Sequence, residues 1–212
     1  MIALIKQLVF FSTKSQIPPS KYKLFLSFIL FLFVFEAIGQ RTKSTVKTTI
    51  DIDQFSESTI IRTERWARMG EDKTGSRISA NMVSIDGLTG MHLSYTGDLG
   101  CLSQNRSRLL IKLTNGDIIE LMQTTITDCT TNPSATFWPI SRDEYEKCTT
   151  TEEIRAIIDD NVQLLKQYDW ETIRIHGSRY FTDIFPNPRR RINNPEQFFR
   201  QHIMAIEETL NE

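Results

Sequence analysis

His176, Arg174 and Asp183 come nearest, of all the residues in this chain, to a reactive set: a base, a cation and a carboxylate on two neighbouring candidate strands, spaced to share one face. Such a set could serve a hydrolase or a lyase. The same residues would equally build an ion-pair and hydrogen-bond ladder across a hairpin, and the local sequence supplies neither a nucleophile turn nor an oxyanion loop. The ladder is the preferred reading, and no catalytic residue is assigned.

Other chemistries find less support. His92, His176 and His202 are far apart, and none belongs to a ligand-spaced pair such as His-x-x-x-His. Asp51 and Asp53 alternate correctly for one strand face, yet the remaining oxygen ligands of a calcium loop are missing. Asp159 and Asp160 are adjacent on a helix and point about 100° apart. Neither the Walker spacing nor a G-x-G-x-x-G after a strand occurs, so no metal and no cofactor is expected. Arg189, Arg190 and Arg191 form the one dense positive run. Guanidinium forks match phosphate and carboxylate groups, which makes this run a candidate site for an envelope glycan anion, although most such runs are solvated loops. Phe137-Trp138 beside Pro139 could stack on a sugar, but core packing is the commoner fate of loop aromatics.

The elements that must position these residues begin after an export signal. Leu24 to Phe35 is a twelve-residue apolar run with Lys21 and Lys23 before it and Ala37-Ile38-Gly39-Gln40 after it. This is the tripartite form of a secretory signal peptide, with cleavage expected between Gly39 and Gln40. A spanning helix needs about 20 apolar residues, so an uncleaved, membrane-tethered form is the lesser alternative. The twenty residues ahead of Lys21 suit a start codon misplaced upstream. Residues 1–39 are therefore read as signal and 40–212 as one domain. Of the 25 basic and 26 acidic side chains, residues 1–39 hold four Lys and one Glu. The mildly acidic remainder gives no support to a nucleic-acid partner.

Cys101, Cys129 and Cys148 remain in the exported part, and an oxidising compartment favours pairing. Leu109, Ile111 and Leu113 alternate before Asn115-Gly116, as Ile119 and Leu121 do after it. A three-residue loop with Gly116 left-handed sets 111 opposite 119 and 109 opposite 121. Extended outward, this register brings Cys101 opposite Cys129 on the apolar face and leaves Cys148 over, unless the loop-like Ser103 to Ser107 breaks it.

Thr45 to Ile52, Ser58 to Thr63, Ile78 to Ile85, Met91 to Tyr95, Leu109 to Leu113 and Asp117 to Met122 read as strands. Arg65 to Gly75 reads as a connection with a helical turn, and Asn132 to Lys147 as a loop. Thr150 and Glu153 make a capping box ahead of the stripe Ile154, Ile157, Ile158, Asn161, Leu165 and Tyr168. Period two returns at Trp170 to His176, with Tyr180 to Phe185 as its hairpin partner, and Asn194-Pro195 opens a last helix. The expected fold is α+β, a single twisted antiparallel sheet with two main helices packed on one face.

Leu99-Gly100-Cys101, Thr114-Asn115-Gly116-Asp117, Thr127-Asp128-Cys129 and Ile173 to Ser178 with Thr182-Asp183 together resemble a group of exported proteins of Bacteroidota-like Gram-negative bacteria. The resemblance spans roughly Asp53 to the C-terminus. It implies a periplasmic or secreted location and carries over no activity and no site residue. The expected function is thus a non-catalytic binding or structural domain of the cell envelope, with an envelope glycan or protein as partner.

Overall fold

The computed structural model describes residues 44–104, 106–188, 192 and 194–212. Ten strands and three α-helices follow in the order β1 (Thr48–Ile52), β2 (Thr59–Thr63), β3 (Trp66–Glu71), β4 (Arg77–Ile85), β5 (Leu88–Thr96), β6 (Arg108–Leu113), β7 (Ile118–Gln123), β8 (Ser134–Trp138), α1 (Arg142–Tyr145), α2 (Thr151–Gln167), β9 (Trp170–His176), β10 (Phe181–Pro186) and α3 (Phe198–Leu210). Local signals act as expected where they are strongest. Gly116 is left-handed at φ 94°, and β6 and β7 pair Ile111 with Ile119 and Leu109 with Leu121. Thr150 caps α2 by accepting from the Glu153 backbone, and Glu153 returns the bond in a closed capping box.

The sheet is not open. Its strands run β4-β3-β10-β9-β6-β7-β8-β5, and β5 pairs back onto β4, so eight antiparallel strands close into a barrel. This corrects the expected α+β arrangement of one twisted sheet with helices on a face. Two segments left out of the expected sheet close the circle. β3, read as a connection, joins β4 to β10, and β8, read as a loop, joins β7 to β5. β1 and β2 form an antiparallel hairpin outside the barrel, with β2 pairing the far half of the β4 edge that β3 uses.

Closure gives alternation a different meaning: one face of each of the eight barrel strands fills the barrel rather than meeting a helix layer. Ile78, Ala80, Leu93, Leu109, Ile111, Phe137, Ile173 and Ile175 are fully buried along these inward faces. Both long helices lie at one end of the barrel, since α2 connects the end of β8 to the start of β9 and α3 follows the end of β10. Trp170 anchors that end by donating its Nε1–H to Pro195 O at 2.7 Å. Arg200 of α3 donates to the last carbonyls of α2 at Lys166 and Gln167, and Lys166 pairs with Glu207 at 2.6 Å.

Loops close the opposite end around the Cys101–Cys129 disulfide. The register set by the Gly116 turn survives the Ser103–Ser107 loop, for Leu102 bridges Asp128 in the same frame. Inward parity does not survive it. Leu102 is the fully buried residue while Cys129 is exposed, so the bridge lies on the outside rather than on the apolar face as expected. Cys148 is free.

Candidate functional site

The strand β9 places its side chains as its period of two demands. Ile173 and Ile175 point into the barrel, and Thr172, Arg174 and His176 point out. The β9–β10 turn is fixed from beside it: Ser178 N–H donates to Cys101 O, Arg179 N–H to Leu99 O, and Cys101 N–H to Ser178 Oγ. A β-carbon on Gly177 would run into Leu99 O, so only glycine allows this approach.

Opposite β9, the register sets Asp183 against Arg174 and Phe181 against His176. The guanidinium grips the carboxylate in a bidentate pair, Nε to Oδ1 at 2.6 Å and Nη2 to Oδ2 at 2.9 Å. It also stacks 4.7 Å over the Phe181 ring. Hydrogen bonding to Arg174 holds the Asp183 carboxyl below the usual carboxylate range. Burial, helped by the Arg108 and Arg174 charges, pushes the His176 imidazole down from its ordinary value. At neutral pH the face therefore holds a neutral imidazole and a locked ion pair whose cation is stacked on Phe181.

On the other side β6 sets Arg108, Leu110 and Lys112 against His176, Arg174 and Thr172. Arg108 pairs with Glu120 at 3.4 Å and Lys112 with Glu171 at 2.7 Å. Between the ion pairs lies a shallow depression of about 290 Å³, formed by Leu110, Lys112, Ile118, Thr172, Arg174, Asp183 and Phe185. Ile118 is 63% exposed, Phe181 57% and Phe185 40%. A second depression of about 190 Å³, lined by Asp72, Lys73, Thr74, Phe181 and Thr182, shares Asp183 and Phe185 with the first.

The structure thus brings together all three sequence-derived candidates, but not as a reactive set. Both Asp183 oxygens are engaged by Arg174, and His176 lines neither depression. A general base works within hydrogen-bond reach of its substrate in a water-excluding pocket, and this face is open. Other candidates fall elsewhere. His92 lies on β5 against Thr136, and His202 is buried in α3. Phe137 is fully buried inside the barrel, and Trp138 donates its Nε1–H to Thr124 Oγ1. Among the described residues no group of three or more His, Cys, Asp or Glu gathers as metal ligands. Arg189, Arg190 and Arg191, like Gly39 and Gln40, lie outside the described residues.

Leu110, Ile118, Phe181 and Phe185 were not among the sequence candidates. Their signal was parity: Leu109-Leu110-Ile111 breaks the alternation, so one of the three must point to water. Comparison with protein families, curated proteins and solved structures finds no match to this chain.

Proposed function

We propose that this chain is a non-catalytic exported domain that binds an envelope glycan or protein through the outer face of β6, β9 and β10. The observation that carries the reading is the pairing of exposed Phe185, Phe181 and Ile118 with cations and carboxylates already neutralised by each other. Satisfied charges around exposed apolar side chains suit recognition, where aromatic anchors supply contact area and ion pairs supply orientation. The Cys101–Cys129 disulfide supports an oxidising compartment, and so a periplasmic or secreted location. Among the described residues no helix is long and apolar enough to cross a membrane.

The competing hydrolase or lyase reading requires His176 and Asp183 to exchange protons with a substrate, and the bidentate Arg174 contact opposes that. The test is twofold. Backbone NMR shifts are followed while lipopolysaccharide core oligosaccharide, peptidoglycan fragments and envelope-protein peptides are titrated in. Shifts centred on residues 108–112, 172–176 and 181–185, lost in Phe185→Ser, are expected. Shifts centred elsewhere would move the site. In parallel, turnover of esters, glycosides or peptides by the wild type that disappears in His176→Ala or Asp183→Asn would replace binding with catalysis.

A further inference from the structure

β1 is the terminal strand of the sheet, and among the described residues it pairs with β2 alone. Two hydrogen bonds fix which way its backbone points. Glu64 N–H donates to Lys47 O at 2.7 Å, and Asp53 N–H donates to Ser58 O at 3.0 Å. Backbone groups alternate sides along a strand, so Lys47, Thr49, Asp51 and Asp53 face β2 while Thr48, Ile50 and Ile52 direct their N–H and C=O outward. An unpaired row of this kind is a template for another strand. Solitary edges usually carry a proline, a bulge or charged side chains. β1 has no proline and no bulge, and its one charge, Asp51, is paired with Arg62 of β2 at 3.5 Å; it reads Thr-Thr-Ile-Asp-Ile, with Ile50 61% and Ile52 63% exposed on the side where α3 ends, close enough for Thr209 to bond Thr48 at 2.9 Å.

The strand also complements itself. Antiparallel pairing with a second copy about Ile50 sets Ile50 against Ile50, Thr48 against Ile52, Thr49 against Asp51 and Lys47 against Asp53. All three outward N–H groups of each copy then meet outward carbonyls, the isoleucines cover each other, and two Lys–Asp pairs flank the axis. Neighbouring registers are worse. Centring on Asp51 opposes it to its own charge. Centring on Thr49 recruits Val46, whose N–H is already donated to Ser44 Oγ at 3.2 Å.

We propose that the chain forms a two-fold symmetric dimer in which β1 pairs antiparallel with β1 of a second copy, with Ile50 on the axis. The interface is isologous and uses no residue of β6, β9 or β10, so it stands whether or not that face binds a partner. It is tested by expressing the full chain as Ile50→Cys or Thr49→Cys, each with Cys148→Ser, and running oxidised samples on non-reducing gels.

On the axis, hydrogen-bonded partners sit at a Cα separation a disulfide can span, whereas Thr49 is displaced diagonally from its own copy; Ile50→Cys should give at least about tenfold more adduct at twice the chain mass. Light scattering should find the wild type at twice the monomer mass and Ile50→Lys at the monomer mass, with unchanged circular dichroism. A monomeric wild type overturns the dimer, and equal or stronger crosslinking at Thr49 overturns the axis. An adduct of any other mass puts a different chain on this edge and overturns the proposal.

Discussion

The two ends of the barrel are closed by different physics. At the helical end, Phe198 packs between Trp66, Phe199 and His202, with ring centroids 4.1 to 5.7 Å apart. That closure rests on buried apolar area. At the other end the plug is small, Leu99 and Leu102, and polar groups and a covalent link supplement it. Asp72 joins three elements there: Oδ2 accepts from Tyr95 Oη at 2.8 Å and Thr182 Oγ1 at 3.0 Å, and Oδ1 from Thr74 and Ser76. Burial works to raise the Asp72 pKa, and those donors outweigh it, so its carboxyl lies below the ordinary value. Gln123 donates to the carbonyls of Leu102, Thr125 and Ile126. A barrel end can thus be sealed by bulk or by polar contacts, and the two seals should fail under different stresses.

The largest effect is expected from Phe198→Ala, which removes a fully buried ring and should cost about 3–5 kcal/mol in urea unfolding. A loss below 1 kcal/mol would mean that the helical end does not depend on apolar bulk. Next, replacing both Cys101 and Cys129 by Ser opens a loop of 28 residues and should cost about 3.5 kcal/mol on the loop-entropy account. Wild-type protein in reductant should lose the same amount, and reductant should lower the stability of Phe198→Ala by that same amount again, the two losses adding because the sites lie at opposite ends.

The third prediction concerns acid. Burial pushes His202 down to about 3, and the network assigns its proton to Nδ1, donated to Thr63 Oγ1 at 2.6 Å, while Thr63 bonds both backbone groups of Met82. The folded state resists protonation that the unfolded state accepts below pH 6.5. Stability is therefore complete above 6.5 and is lost as pH falls toward 3, by about 1.4 kcal/mol per pH unit. His202→Phe keeps the aromatic packing and leaves Thr63 its two Met82 bonds. Between pH 6.5 and 4.5 its stability should fall by about 2–3 kcal/mol less than that of the wild type; parallel curves would remove His202 from the account.

Tyr95→Phe, which takes one donor from Asp72, should cost about 1–3 kcal/mol and speed amide exchange near Thr74 and Ser76. The smallest effect belongs to Arg174→Gln on the open face, whose thermal midpoint should scarcely differ from wild type. A large drop there would mean that the outer face supports the fold instead of being available to a partner.

Most elements were legible because their signals are local. The helix over 151–167 has its cap and its stripe, the strand over 170–176 its alternation, and the Gly116 hairpin its turn. The two strands that were not legible, β3 and β8, are the two that close the barrel. β3 loses its alternation where the register slips between Trp66 and Gly70, with Arg68 left-handed at φ 62°. β8 is five residues held between Pro133 and Pro139, too short to establish a period. Without them the remaining strands describe an open sheet, and its apolar face looks as though helices must cover it. Closure is a matter of pairings remote in sequence, which composition and periodicity do not record. The candidate site was half legible: its charges follow from the alternation of β9, but its apolar rim depends on which face of β6 and β10 turns outward.

The place of β9 and β10 in the barrel governs how the molecule comes into being. They sit between β3 and β6, strands made much earlier, so a chain emerging from its N-terminus holds two unsatisfied edges until its last quarter arrives. The nascent meander is then the adhesive state of this protein, exposed to mispairing with its neighbours for as long as synthesis delays the final hairpin. A stall before Phe181, the first residue of β10, would release a chain with most of its strands and no way to shut, and such a product is destined for chaperones or proteases rather than for the native state.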